Sequence, residues 1–328
     1  MTAQPESAMP GLAAEIAAGD RRALARAITL IESERADHAH EATALLESLL
    51  PATGGAVRLG ISGAPGVGKS TFIESFGMHL LGAGLRVAVL AVDPTSRRSG
   101  GSILGDKTRM ERLARENAAF IRPSPAGRTL GGVARRTSEA LLLCEAAGFD
   151  VVIVETVGVG QSETAVAGLV DMFLLLIAPG GGDELQGIKR GIVELADLVL
   201  VNKDDGDLAA AAGRIAAEYK GALSLLRPES AHWSPEVLRC SALAQTGIAE
   251  VWAAVERHRR ALTDSGALKA RRATQAREAL WAEVTEELLQ RLRKAPKARL
   301  LVPAIEARVA AGSLSPRAAA QLLIETEE

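Results

Sequence analysis

The chain has 328 residues, of which 48% are hydrophobic and 24% are charged, and its formal net charge is −2. This length allows one large buried core with additional helices. Because the charge is nearly balanced, there is no broad basic field, and we expect neither nucleic acid nor a membrane as a partner. The polar N-terminus carries no signal pattern, and the most apolar run, residues 169–178, is too short to span a bilayer. The expected compartment is the cytoplasm or an equivalent organelle matrix.

Apolar residues recur at helical spacing at both ends of the chain, which predicts helical extensions there. The first extension covers residues 1–55 and closes at Pro51 and the glycine pair 54–55. The second covers residues 263–328 and has an apolar stripe among charged residues.

Between these extensions, residues 56–262 alternate short apolar runs with amphipathic stretches. This alternation predicts an α/β fold with βαβ units, a mostly parallel sheet and helices on both of its faces. Ligands bind such sheets at the carboxyl ends of the strands, where the motifs described below fall. The predicted strands are 57–62, 86–92, 118–121, 151–155, 172–177, 198–202 and 237–241.

A complete phosphate-binding motif follows the first predicted strand. Gly63-Ala64-Pro65-Gly66-Val67-Gly68-Lys69-Ser70 fits GxxxxGK[ST] and is followed by Thr71 at the start of a predicted helix. The glycines let successive backbone N–H groups point at phosphate oxygens, and the helix N-terminus adds a favourable dipole. Lys69 would reach the β- and γ-phosphates, and the Ser70 hydroxyl would bind Mg²⁺. We therefore predict a P-loop NTPase and assign these nine residues to nucleotide binding.

A second motif, Asn202-Lys203-Asp204-Asp205, follows a late apolar strand and fits NKxD. Guanine presents two adjacent donors, N1–H and N2–H, and the Asp205 carboxylate can accept both. Lys203 would pack its stem over the base, and Asn202 would hold the loop together. The segment Ser241-Ala242-Leu243, after the last predicted strand, would contact the guanine oxygen through backbone amides. Together these residues favour GTP over ATP, because a buried polar pair discriminates strongly between bases.

Acidic residues at predicted strand ends are candidates for the Mg²⁺ site, since this ion prefers hard oxygen ligands. Asp93 and Glu155 each end an apolar strand, and Asp106 lies in a glycine-rich segment. With Ser70 they form the predicted metal set. For each acid, a solvated loop residue is the alternative interpretation.

The segment that starts at Glu155 departs from the DxxG motif usual in GTPases, because glutamate stands in place of aspartate. The amide of Gly158 could sense the γ-phosphate, and the longer carboxylate could reach Mg²⁺ through a water. Gln161 and Glu163 follow and are candidates to position the attacking water. We predict Lys69, Glu155 and Gln161 as the catalytic residues.

Six segments, in chain order, carry a family resemblance. They are GAPGVGKST, VDPTS, GGSILGDKTRM, ETVGVGQSE, GGGDELQGIKRG and VNKDD. They are similar to the corresponding segments of the MeaB/ArgK family of methylmalonyl-CoA mutase-associated GTPases, and the resemblance covers nearly the whole chain. ETVGVGQSE and GDELQGIK are much more specific than a P-loop alone. The family carries glutamate in the third GTPase motif, as Glu155 does here.

The resemblance implies a homodimeric chaperone of adenosylcobalamin-dependent methylmalonyl-CoA mutase. It would couple GTP binding and hydrolysis to cofactor delivery and would protect the mutase from inactivation. The resemblance also implies that Asp93, Asp106 and Glu155 surround the Mg²⁺ and that the ETVGVGQSE and GGGDELQGIKRG segments act as switches. The C-terminal helices would form the dimer.

The catalytic groups of generic GTPases are not recognisable in this sequence. No glutamine directly follows Gly158, and no arginine finger can be identified. Without such preorganised stabilisation of charge, we expect slow intrinsic hydrolysis that the partner accelerates.

Three alternatives remain open from the sequence. A nickel-insertion GTPase often carries a histidine-rich segment, whereas here only His38 and His40 cluster, on a charged helix. A P-loop kinase would use ATP, against which the NKxD motif argues. A protein that binds nucleotide without turnover is the third alternative.

Overall fold

A computed structural model describes residues 9–33, 35–93, 110–125, 130–156, 162–179, 190–225 and 230–325. The chain forms two compact units, Met1–Gln275 and Ala276–Glu328. The strands are β1 (Val57–Ser62), β2 (Val87–Asp93), β3 (Ala119–Pro125), β4 (Val151–Thr156), β5 (Met172–Ile177), β6 (Leu198–Val201) and β7 (Glu236–Arg239). The helices are α1 (Met9–Ala17), α2 (Arg21–Ile31), α3 (Ala36–Leu49), α4 (Lys69–Gly82), α5 (Glu111–Arg115), α6 (Leu130–Ala146), α7 (Ser162–Ala167), α8 (Arg190–Glu194), α9 (Ala209–Ser224), α10 (Ile248–Asp264), α11 (Ala267–Lys294), α12 (Pro296–Ala310) and α13 (Pro316–Glu325).

The described strands form one parallel seven-stranded sheet in the order β3-β2-β4-β1-β5-β6-β7. Strand β1 lies between β4 and β5, so that Ile61 is paired with Glu155 on one side and with Leu174 on the other. Because all described strands run in one direction, their carboxyl ends meet at one edge of the sheet. The predicted α/β fold with a mostly parallel sheet is confirmed.

Helices cover both faces of the sheet, and successive strand residues alternate between the two faces. Val152 and Val154 belong to the hydrophobic core beneath α1, α2, α3, α6 and α9, whereas Val151 and Ile153 belong to the core beneath α4, α5 and α10. Burial on both faces explains why the strands appear in the sequence as nearly continuous apolar runs.

The N-terminal helices pack directly on one face of the sheet. Leu24 and Ile28 of α2 are fully buried in the same core as Leu141 of α6. An ion pair of 2.6 Å between Arg122 of β3 and Glu32 joins α2 to the edge strand. The predicted division into an N-terminal extension (residues 1–55), a nucleotide-binding domain (56–262) and a C-terminal helical region (263–328) assigns a role to each part, and it stays a prediction.

Two strands, β3 and β7, end more than one residue away from their predicted ends. Strand β3 continues to Pro125, because it is an edge strand of the sheet, where proline is tolerated. Strand β7 ends at Arg239, because Ser241 instead pairs with Thr246 through two backbone hydrogen bonds of 3.0 and 3.2 Å.

Within the described ranges, no helix combines the length and the apolar character that a membrane crossing requires.

Candidate functional site

The loop between β1 and α4 curls tightly against two other parts of the structure. Gly68 has a left-handed φ of 93°, and a Cβ atom there would lie 2.7 Å from Nδ2 of Asn202. A Cβ atom at Gly63 would overlap the carbonyl oxygen of Leu176 in β5. Both positions therefore require glycine, and the backbone forms a cradle at the start of helix α4.

Lys69, the first residue of α4, is only 9% exposed. Its Nζ donates hydrogen bonds to the carbonyl oxygens of Gly63, at 2.6 Å, and Ala64, at 3.2 Å. A buried ammonium group needs such acceptors. Phosphate oxygens are stronger acceptors than carbonyls, because both partners are then charged. The lysine is thus held inside the cradle with donors suited to a phosphate.

Two side-chain oxygens that could bind a metal ion meet beside the cradle. The Ser70 hydroxyl donates to Oε1 of Glu155 at 3.3 Å, and the Thr156 hydroxyl donates to Oγ of Ser62 at 2.8 Å. Mg²⁺ prefers such oxygen ligands, so Ser70 and Glu155 fit a magnesium ion. No group of three or more His, Cys, Asp or Glu side chains that could hold a metal occurs within the described ranges.

The structure does not describe the side chains of several predicted site residues. Asp106, Gly158 and Gln161 lie outside the described residues, as does the side chain of Asp93, whose backbone ends strand β2. Glu163 lies in the first turn of α7 and is 1% exposed.

Asn202 connects the phosphate cradle to the loop that follows β7. Its Nδ2 donates to the carbonyl oxygen of Val67 at 2.9 Å, and its Oδ1 accepts from the amide of Ala242 at 3.0 Å. The Cys240 thiol also donates to Oδ1, at 3.6 Å. Burial raises the pKa of this thiol to about 12, so that the sulfur keeps its proton for this contact. The Asn202 amide is thereby fixed on three sides.

The remaining residues of the NKxD segment lie next to this connection. Lys203 has a left-handed φ of 60°. Oδ1 of Asp205 accepts a hydrogen bond of 2.9 Å from Ser241, whose hydroxyl accepts from the amide of Ala244 at 3.0 Å. These bonds orient the Asp205 carboxylate. Leu243 is 80% exposed at the tip of the same loop.

Two further contacts at this site were not anticipated from the sequence. Nε of Arg239 donates to Oδ2 of Asp204 at 2.8 Å, and the Ser75 hydroxyl of α4 donates to the carbonyl oxygen of Ala242 at 2.7 Å. The partners are separated by 35 and 167 residues. No local pattern marks such pairs, because only the order of the strands in the sheet brings them together.

The structure brings two groups of predicted residues to the carboxyl edge of the sheet. The first group comprises the loop 63–68 with Lys69, Ser70 and Glu155, at the ends of β1 and β4. The second comprises residues 202–205 and 241–243, at the ends of β6 and β7. Asn202 joins the two groups, so they form one continuous candidate site with the cradle and Lys69 at one end and the oriented Asp205 carboxylate at the other.

The chain is similar to known proteins over most of its length. The sequence profile of the family described as "Methylmalonyl Co-A mutase-associated GTPase MeaB" matches residues 24–297. A protein of Caulobacter vibrioides is 58% identical over 309 residues, covering 94% of each chain. The mouse protein named "Methylmalonic aciduria type A homolog, mitochondrial" is 50% identical over 320 residues, which cover 94% of this chain and 76% of the mouse protein. The crystal structure described as "LAO/AO transport system kinase" superposes with a TM-score of 0.77 at 42% identity and covers 99% of both chains.

Proposed function

We propose that this chain, which belongs to the MeaB family of methylmalonyl-CoA mutase-associated GTPases, binds and hydrolyses GTP as a chaperone of adenosylcobalamin-dependent methylmalonyl-CoA mutase. The observation that carries the GTPase part is the double contact of Asn202 with Val67 and Ala242. This contact joins the proposed phosphate-binding loop to the proposed guanine-binding loop. The mutase part rests on family membership.

The orientation of Asp205 supports guanine as the base. The Ser241 hydroxyl donates a hydrogen bond to one side of Oδ1. The other acceptor positions of the Asp205 carboxylate therefore point away from Ser241. Guanine offers two donors side by side that a single carboxylate can accept. Since adenine lacks this pair of donors, the site would leave the carboxylate unpaired with ATP, which costs binding energy.

The residues at the cradle support hydrolysis. Lys69 would stabilise negative charge on the β- and γ-phosphates. Ser70 and Glu155 would hold the Mg²⁺ ion, which neutralises phosphate charge when it is bound. Asp93 and Asp106 complete the proposed metal set, and Gln161 is the proposed residue for positioning water. Because the sequence supplies no recognisable arginine finger, we propose that intrinsic turnover is slow and that the mutase accelerates it.

The experiment is single-turnover hydrolysis of GTP by the full-length protein, with and without methylmalonyl-CoA mutase, together with binding of GDP. Gly68→Ala places a Cβ atom 2.7 Å from Asn202 Nδ2 in a left-handed backbone. We expect it to weaken GDP binding at least about tenfold, equivalent to about 1.4 kcal/mol. Gly82→Ala, at the other end of α4, is the matched control, since no atom lies within 4 Å of its Cβ position.

Each part of the proposal has its own contrary result. Failure of the wild-type protein to bind GDP would overturn the GTPase assignment. Equal hydrolysis rates with and without the mutase would overturn partner acceleration. Co-purification of this protein with the mutase, compared between GDP and a non-hydrolysable GTP analogue, tests the chaperone role. Association that does not depend on the nucleotide would overturn that role. A solved relative bears the name of a transport system kinase, so incubation with labelled ATP and GTP is the test for phosphate transfer to an acceptor.

A further inference from the structure

Besides Asn202 and Asp205, a third residue of the NKxD segment forms hydrogen bonds with β7 and the loop that follows it. Asp204, the residue at the variable position of the motif, donates its amide hydrogen to the carbonyl oxygen of Cys240 at 3.0 Å. Its carboxylate accepts from Nε of Arg239 at 2.8 Å. Lys203 is therefore the single residue of residues 202–205 for which no hydrogen bond to the 239–242 segment is seen within the described part of the chain.

The ion pair between Arg239 and Asp204 is partly buried and lies against helix α9. The Asp204 side chain is 15% exposed and that of Arg239 is 47% exposed, so the pair is partly shielded from water. A Cβ atom at Gly213 of α9 would lie 3.1 Å from Nη1 of Arg239. The absence of a side chain at this position lets the guanidinium group lie over the helix and reach Asp204.

This pair lies beside a strained backbone conformation. Lys203 has a φ of 60°, which a non-glycine residue adopts only at a cost of about 1 kcal/mol or more. Such a conformation persists where its neighbours are held firmly on both sides. Asn202 is held by Val67 and Ala242 on one side, and Asp204 is held by β7 on the other.

We propose that Arg239 is a positioning residue for guanine recognition, which acts through Asp204 to hold Lys203 and Asp205 in their base-binding conformation. This inference rests on the proposed function, because it requires guanine at the 202–205 segment. By preorganising the loop, the pair slows release of the nucleotide and increases the preference for guanine over hypoxanthine. Hypoxanthine lacks the N2 amino group from which Asp205 would accept a hydrogen bond.

The two partners contribute unequally. Oδ1 of Asp204 is buried and has no hydrogen-bond partner within the described residues. Removing Arg239 therefore leaves a shielded carboxylate without its counter-charge, whereas removing the charge of Asp204 leaves only a half-exposed guanidinium group that water can solvate. Arg239→Gln should be more harmful than Asp204→Asn, and the double variant should resemble Asp204→Asn.

The experiment measures the release rate of GDP and the dissociation constants of GDP and IDP for the full-length protein and these variants. We expect Arg239→Gln to release GDP about fivefold faster and to lower the ratio of IDP to GDP dissociation constants about threefold, as fits one partly shielded ion pair. The matched control is Arg257→Gln, which breaks the 2.7 Å pair between Arg257 and Glu236 at the opposite end of the same strand. It should leave both quantities unchanged.

The outcomes separate positioning from general stability. An unchanged ratio in Arg239→Gln would overturn the inference, because a merely structural role weakens binding of GDP and IDP by the same factor. Additive effects in the double variant would also overturn it, since they would show that the two residues act independently. If the wild-type protein binds no GDP, the proposed function fails and this inference fails with it, whereas normal wild-type binding with unaffected variants rejects the inference alone.

Discussion

At the scale of single residues, His258 shows how the fold holds an ionisable group neutral. The side chain is 2% exposed, and its ring packs against Trp233 in a T-shaped arrangement with centroids 5.0 Å apart. Burial lowers the pKa of His258 to about 4, and the charge of Arg271 adds to this effect, whereas Asp171 opposes it. Nε2 lies 3.9 Å from Oδ1 of Asp197, too far for a hydrogen bond. The folded protein therefore resists protonation of this ring.

Protonation of His258 should destabilise the protein as the pH falls. Its pKa is about 4 in the folded state and near 6.5 when unfolded, so the unfolded chain binds more protons between these values. The free energy of unfolding should drop by up to about 3 kcal/mol between pH 6.5 and 4. Burial also raises the pKa of Asp197, which acts in the opposite direction above pH 3.8.

Urea denaturation at several pH values checks this prediction. His258→Gln removes the titration and should flatten the loss of stability between pH 6.5 and 4. The control His232→Gln replaces an exposed histidine and should keep the wild-type profile. An equally steep loss in His258→Gln would assign the acid sensitivity to other groups.

At the scale of elements, the first turns of α11 are fastened to the amino edge of the sheet. Arg272 donates to both carboxylate oxygens of Asp171, at 2.8 and 2.6 Å, and to the carbonyl oxygen of Ala56 at 2.7 Å. Gln275 donates to the carbonyl oxygen of Val170 at 2.8 Å. Asp171 directly precedes β5 and is 5% exposed. The helix is thus anchored by a shielded ion pair, in which each partner also satisfies backbone groups.

Breaking this anchor should cost more than breaking an exposed pair on the same helix. Arg272→Met leaves the Asp171 carboxylate buried without its counter-charge, and we expect the free energy of unfolding to fall by about 3 kcal/mol. Arg291→Met is the control, because Arg291 and Glu287 are 67% and 50% exposed and such a pair contributes about 0.5 kcal/mol or less. Urea denaturation measures both variants, and equal losses would show that the anchor is not a significant source of stability.

At the scale of the whole molecule, the second compact unit leaves an unusual share of large apolar side chains exposed. Trp281 is 69% exposed and Leu288 is 56% exposed, and the two share one face of α11 because they are seven residues apart. Within the described residues of this unit, the buried hydrophobic residues are Ala298, Ile305 and Ala319. Apolar surface of this kind marks interaction sites, and we propose that a second copy of the chain covers it in a homodimer.

Charge on the apolar face should disrupt this dimer. Trp281→Glu places a carboxylate where burial of an aromatic side chain would contribute about 2 kcal/mol. We expect it to weaken dimerisation at least about tenfold, measured by light scattering after size-exclusion chromatography. Leu225→Glu is the control, since Leu225 is 87% exposed but belongs to the first unit. A monomeric wild-type protein, or a dimer unchanged by Trp281→Glu, would contradict the prediction.

Features that depend on neighbouring residues could be predicted from the amino-acid sequence alone. The loop 63–68 and Lys69 form one contiguous motif, whose glycines define a phosphate cradle wherever strand and helix flank it. Alternating apolar runs and amphipathic stretches predicted the parallel sheet, since each strand is buried on both faces. Segments spread over nearly the whole chain also identified the family, which the match to residues 24–297 confirmed.

Features that depend on the order of the strands could be seen only in the folded chain. Glu155 reaches Ser70 because β1 lies beside β4, although 85 residues separate them. The contact between Asn202 and Val67 spans 135 residues, and the pair of Arg239 and Asp204 exists because β7 follows β6 at the edge of the sheet. Such contacts join residues whose local sequences carry no information about each other. Their positions follow from the packing of the strands, which the free energy of the whole core determines.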